Sequence, residues 1–223
     1  MNVEDIKDVE LPEGDLLKTI FTHQRNLMES YHAIEENNVG HRIPAASYRE
    51  LVDGYRTIRW QYAGGLDLND RASQLRIKSF CWRVTEEISE ATCAMGEENS
   101  VHFQEEVIDA LHFLVELMCL SGIEPGELIL DPPRKKHAKE PEYVRESAYL
   151  VVEKLGQMAN CLKGKEWKTT MMLTDEKNFR YLARETFKEF NNFLGVCGFD
   201  KESTTLMYLR KHKVNQFRVN SRY

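Results

Sequence analysis

VHFQEEVIDALHFLVELMCLS, residues 101–121, decides the fold. The stretch is dense in Leu, Val and Ile, lacks apolar alternation at every second position, and is followed at once by Gly122, a helix-stopping residue. It reads as a helix. Placed on a wheel at about 100° per residue, Phe103, Val107, Ala110, Leu114 and Met118 define a buried stripe. Glu106 falls within the arc of that stripe and Asp109 at its edge, whereas Glu105, His112 and Glu116 point to the opposite, polar side.

Upstream, Gly96-Glu97-Glu98-Asn99-Ser100 is a turn, and a helix from about Asn69 to Met95 precedes it. Phe80, Val84, Ala91 and Met95 form its stripe, with Glu87 inside, Glu90 at the margin and Glu86 outside. Each of the two helices thus presents a pair of carboxylates three residues apart on one face, and four acids converge if the helices pack. Buried acids are costly to desolvate and repel one another, so a compensating cation is expected. The pattern fits two arrangements: a bound hard cation, Mg²⁺ or Mn²⁺ sooner than zinc, or neutralisation by Arg and Lys from neighbouring helices. A cation held there would polarise a phosphoryl group and activate a water, with a carboxylate taking the proton. Glu87, the deepest acid on the wheel, is the expected base and a metal neighbour; Glu90, Glu106 and Asp109 are the expected ligands.

Further helices are expected from about Asp15 to Asn37, from Ser47, whose Ser-x-x-Glu50 capping box opens a helix to about Tyr62, and from Pro141 toward Leu162. Two more span about Asp175 to Leu194 and Lys201 to Lys213, followed by a polar tail, VNQFRVNSRY. Residues 131–141, DPPRKKHAKEP, read as a solvated loop. The fold class is all-α, with no convincing strand and no internal repeat.

The 223 residues carry a formal net charge of -6 and no long basic block, which argues against a nucleic-acid or anionic-membrane partner. No apolar run approaches the roughly 20 residues of a membrane span, and the first residues, MNVEDIKDVELPEGD, are acidic, unlike a signal peptide. A cytoplasmic protein is expected. Cys81, Cys93, Cys119, Cys161 and Cys197 include no Cys-x-x-Cys pair and read as reduced, mostly core residues.

Glu-x-x-Glu, fifteen residues, then Glu-x-x-Asp resembles the signature of the all-α nucleoside triphosphate pyrophosphatases. Glu105 to Phe113 looks like the Glu-Glu-x-x-Asp-x-x-His-Phe run of the dimeric dUTPases and of phage enzymes that hydrolyse dCTP and dUTP. The end of the chain, from Lys211 to Tyr223, is similar to that family's Lys-Asn-x-x-Asn-x-x-Arg-Gln-x-x-Gly-Tyr, with Lys211, Asn215, Arg218 and Tyr223 in place and His212, Val219 and Arg222 as departures. The family's Lys/Trp segment between the acidic motifs is missing from CAMGEENSVHFQ; Lys165 to Lys168, around Trp167, is a later stretch of that type.

The resemblance implies a single-domain helical bundle over residues 1–223, with a core of about 15–122 and 204–223 and an inserted helical segment of about 124–203. It implies a homodimer that hydrolyses dUTP to dUMP and pyrophosphate by a Mg²⁺-activated water. Lys211, Arg218 and Tyr223 would hold phosphates, Asn215 would read base or sugar, and Gln24, His112 and Phe113 would lie at the base. A phage dCTP or dTTP pyrophosphatase in the host cytoplasm is the alternative with the same mechanism. A di-iron carboxylate bundle normally needs Glu-x-x-His on two helices, and only Asp109-x-x-His112 comes near that pattern. A non-catalytic helical adaptor is the remaining class.

Overall fold

Aspartates start four of the helices in the computed structural model, which describes residues 1–38, 65–95, 100–134, 139–165, 169 and 173–221. Helix α1 is Leu16–Asn38, α2 Arg71–Ala94, α3 Ser100–Leu120, α4 Pro141–Cys161, α5 Glu176–Val196 and α6 Lys201–Asn220. Asp15 Oδ1 accepts from Lys18 N at 3.1 Å ahead of α1, and Asp70, Asp175 and Asp200 likewise cap α2, α5 and α6. Each cap satisfies an amide that the helix leaves without an internal partner. Pro141 opens α4, where a missing amide hydrogen does no harm. Gly122, at φ +67°, closes α3, and Ile123 N turns back to Met118 O at 2.9 Å. No strand occurs among the described residues. The expected helix at Ser47–Tyr62, the Lys/Trp stretch at Glu166–Lys168 and Lys135–His137 of the basic loop lie outside them.

Two expectations are corrected. The tail does not leave the helix at Lys213: α6 runs on to Asn220, because Val214 is buried and no Gly or Pro interrupts the segment. Nor do His112 and Glu116 point to an outward side of α3, although His102 and Glu105 keep some exposure. Val107, Ile108, Ala110, Leu111, Leu114, Val115, Leu117 and Met118 are all fully buried, and His112 and Glu116 are buried with them. α3 packs along α2 on one side and is covered by α1 and α6 on the other, so a one-stripe wheel misjudges half its surface.

α4 and α5 form the second closely packed pair, and α4 also leans on α2. Phe179, Phe187, Phe190 and Phe193 of α5 are buried, each contributing about 1.5–3 kcal/mol of apolar burial. One apolar cluster runs through all six of the described helices. Cys81, Cys119, Cys161 and Cys197 are buried and Cys93 is exposed; all five are free thiols.

The segment before α4 is fixed to α5 by Asn191, whose Oδ1 accepts from Asp131 N and whose Nδ2 donates to Asp131 O, both at 2.9 Å. Beside it, a Cβ on Gly195 would run into the carbonyl oxygen of Pro133. Backbone on both sides leaves nothing to yield. Gly195→Ala is therefore expected to destabilise the fold by about 1–3 kcal/mol, read as a lower urea midpoint with an unchanged slope.

Candidate active site

Packing of α2 along α3 brings Glu87 against Glu106 and Asp109, so that one carboxylate oxygen from each lies within 4.8 Å of the others. Glu106 is the deepest of the acids, not Glu87, which is half-buried; Glu90 is exposed at the rim and outside the three-residue cluster. Depth follows from the central position of α3, which the wheel for α2 alone does not contain.

Burial, reinforced by Asp109, Glu106 and Glu90, pushes the Glu87 carboxyl up to about 8. Burial also raises Asp109, to about 6, against the pull of Lys211. Lys211 Nζ lies 2.7 Å from Asp109 Oδ2 and 3.5 Å from Glu105 Oε2. Burial works against that ammonium, yet Asp109 and Glu105 more than offset it and hold its pKa above the usual lysine value. His102 Nε2 lies 2.9 Å from Glu106 Oε1. Among the described residues no lysine or arginine forms an ion pair with Glu87.

Lys211 thus compensates part of the cluster and leaves Glu87 with a raised affinity for a proton, which a divalent ion would displace. Three converging carboxylates, with a fourth at the rim, form an all-oxygen donor set with surplus negative charge. The residues fit a hard divalent cation, and no cysteine joins them.

The acids open onto a pocket of about 300 Å³. Glu87 and Asp109 line one part of it, and Gln24, His112, Phe113, Asn215 and Arg218 line others. Asn215 and Arg218 reach it because Lys211, Asn215 and Arg218 stand four and three residues apart on α6, a helical stripe. Lys211 is buried behind, on Asp109. Tyr223 lies outside the described residues.

Gln24 and His112 are buried, and bonded to one another: His112 Nδ1 is 2.9 Å from Gln24 Oε1. His112 lies about the same pocket as Asp109, contrary to its expected position on the far side of α3. Phe113 meets Phe80 edge to face at 6.1 Å, with the Arg83 guanidinium 5.5 Å from the Phe113 ring centre.

Four residues escaped the sequence reading. Arg76 and Arg83 also line the pocket, and with Phe80 and Glu87 they form a stripe at steps of four, three and four residues on α2, a legible signal in hindsight. Glu116 belongs to the pocket wall, and Tyr208 to the buried layer behind it; no local spacing links either to Gln24.

His212, where the family motif has Asn, faces His23 of α1 with ring centres 4.7 Å apart, and neither of its ring nitrogens has a hydrogen-bond partner among the described residues. Burial, then His23, lowers His212 to about 4 from 6.5. As pH falls, the unfolded chain takes up this proton first, so stability is intact above about 6.5 and is lost progressively down to about 4. The loss is expected to be ~2 kcal/mol, and His212→Asn should remove it, narrowing the difference between urea midpoints at pH 7 and pH 4.5.

An all-helical bundle that sets opposed carboxylates at the edge of an arginine-lined pocket defines a class of protein suited to a charged, phosphate-bearing ligand. The family model for dUTPase, the dimeric all-α kind, matches residues 94–223, more than half of the chain, and the chain belongs to that family. The matched span takes in α3, α4, α5 and α6. Glu87, Glu90 and Gln24 precede it. No curated protein and no solved structure matches the chain. Membership supports a nucleotide pyrophosphatase activity and a nucleotide substrate, and the family generally uses a divalent metal. No described helix is long and apolar enough to cross a membrane.

Proposed function

We propose that the chain hydrolyses dUTP to dUMP and pyrophosphate with a divalent cation, Mg²⁺ or in its place Mn²⁺, held by Glu87, Glu90, Glu106 and Asp109. The observation that carries this is the convergence of Glu87, Glu106 and Asp109 at the edge of a pocket that also holds amide, imidazole, aromatic and guanidinium groups. Such a cation, when bound, supplies Lewis-acid polarisation of phosphate oxygens and lowers the pKa of a water beside it.

The remaining work belongs to the side chains. Glu87, whose proton affinity is raised by burial and three neighbouring acids, takes the proton of the attacking water on its carboxylate oxygen. Arg76, Arg83 and Arg218 offer charge-assisted donors to the phosphates, with Lys211 and Tyr223 in the same role. Gln24, His112 and Asn215 meet the polar edges of base and sugar, and Phe113 offers the base an aromatic face. In the same proposal the protein is a single-domain homodimer of the cytoplasm, cleaving between the α and β phosphates.

Initial rates of pyrophosphate release from dUTP, dCTP, dTTP, dATP and dGTP with Mg²⁺ test the proposal. Fastest release from dUTP supports it. A dCTP or dTTP preference moves the role to remodelling of a nucleotide pool with the chemistry unchanged, and no release from any of the five rejects the assignment.

A further inference from the structure

Gln24, Glu116, His112 and Tyr208 form one buried hydrogen-bonded group across α1, α3 and α6. Gln24 Nε2 donates to Glu116 Oε2 at 3.0 Å, and the Tyr208 hydroxyl donates to Gln24 Oε1 at 2.6 Å. A carboxylate only accepts, so the Gln24 atom facing Glu116 is the amide nitrogen. The amide oxygen then lies between Tyr208 and His112, and both must donate to it.

The tautomer of His112 follows. Its proton sits on Nδ1, and Nε2 is itself buried and presents no surface to the pocket. Burial, then His212 and Lys211, holds the imidazole well below its ordinary pKa, so the ring stays neutral. Tyr208 stacks on the same ring at 3.9 Å and fixes its plane. With both lone pairs of Gln24 Oε1 engaged, that side chain has only its second N–H to offer a ligand.

We infer that Glu116 and Tyr208 are positioning residues that lock the Gln24 amide as a donor toward the pocket, and thereby select the base edge the pocket takes. Resting on the proposed dUTP activity, the selected edge is one that presents a carbonyl, as uracil does. Seated the same way, cytosine would turn its exocyclic amino group toward the Gln24 N–H, setting donor against donor.

The lock is released by a partner that can donate. In Glu116→Gln the residue both donates and accepts, the Gln24 amide can turn over, and His112 can carry its proton on Nε2. The preference for dUTP over dCTP in kcat/KM is expected to fall at least about ten-fold, mostly through KM. Tyr208→Phe, which removes one donor and keeps the ring, should lower it by about three- to five-fold.

Histidine ¹⁵N spectra of the cation-free protein give a readout apart from turnover: His112 is expected as the Nδ1–H tautomer in the wild type and as a mixture in Glu116→Gln. An Nε2–H tautomer in the wild type overturns the inference. So does an unchanged dUTP to dCTP ratio in both variants when each is folded. If the wild type hydrolyses no nucleotide, the proposed activity fails, and the tautomer alone then decides whether the lock exists.

Discussion

Glu87→Gln is expected to lower pyrophosphate release by about 10²–10⁴-fold while raising the melting temperature of the cation-free protein. The two effects share one cause. Burial and the adjacent acids raise the Glu87 carboxyl to about 8 from 4.5, so folding without a cation forces that group to keep a proton or bear repulsion. The unfolded chain releases the proton at the ordinary value, and the wild type therefore loses stability as pH rises from about 4.5 to 8. Glutamine keeps the shape without that penalty, so the gap between variant and wild type opens across the same range. Since the side chain is only half-buried, the expected gain is about 1 kcal/mol, or ~2–4 °C for a chain of this size. Thermal melts in chelator between pH 5 and pH 8 measure it. Were Glu87 a structural acid neutralised by an internal cation, the variant would melt lower.

Lys211→Met should behave in the opposite sense. The ammonium lies 2.7 Å from Asp109 and is the internal cation of the cluster; removing it leaves Asp109 and Glu105 facing one another's charge in a site that burial already disfavours. A loss of about 2–3 kcal/mol is expected in chelator, below the ~3–5 kcal/mol of a fully buried broken pair because both acids keep some contact with water. Turnover should fall by about 10²–10³-fold, the cost of removing one donor to developing phosphate charge. A divalent cation should return more stability to Lys211→Met than to the wild type, since it replaces the missing charge. Equal stabilisation of both would separate Lys211 from the cation site.

The meeting of Glu87, Glu106 and Asp109 was legible because it is local: the three lie on helix faces whose apolar neighbours betray where they point, whereas Glu90 stays exposed outside the cluster. What failed was depth. Glu106 proved the most buried acid of the cluster, and Glu116 and His112 proved internal, because α1 and α6 cover the side of α3 that its own residues mark as polar.

The end of the chain shows a related limit. Lys211, Asn215 and Arg218 were found as a motif, but their common face depends on α6 continuing past Lys213, and the polar composition of that segment conceals the anchoring by Val214. Gln24 meets Glu116 and Tyr208 only through packing, across 92 and 184 residues of chain. Spacing along a sequence carries no trace of such a contact. The family match covers residues 94–223, so membership is shown without α1 and nearly all of α2, the helices that bring Gln24 and Glu87 to the pocket.

The most direct test of the central claim is ³¹P NMR of dUTP with the protein and Mg²⁺, repeated with Glu87→Gln and Glu106→Gln. The account predicts conversion to dUMP and pyrophosphate by the wild type, abolished by chelator and reduced at least about 10²-fold in both variants. Release of orthophosphate with dUDP, or turnover undiminished in the variants, would contradict it.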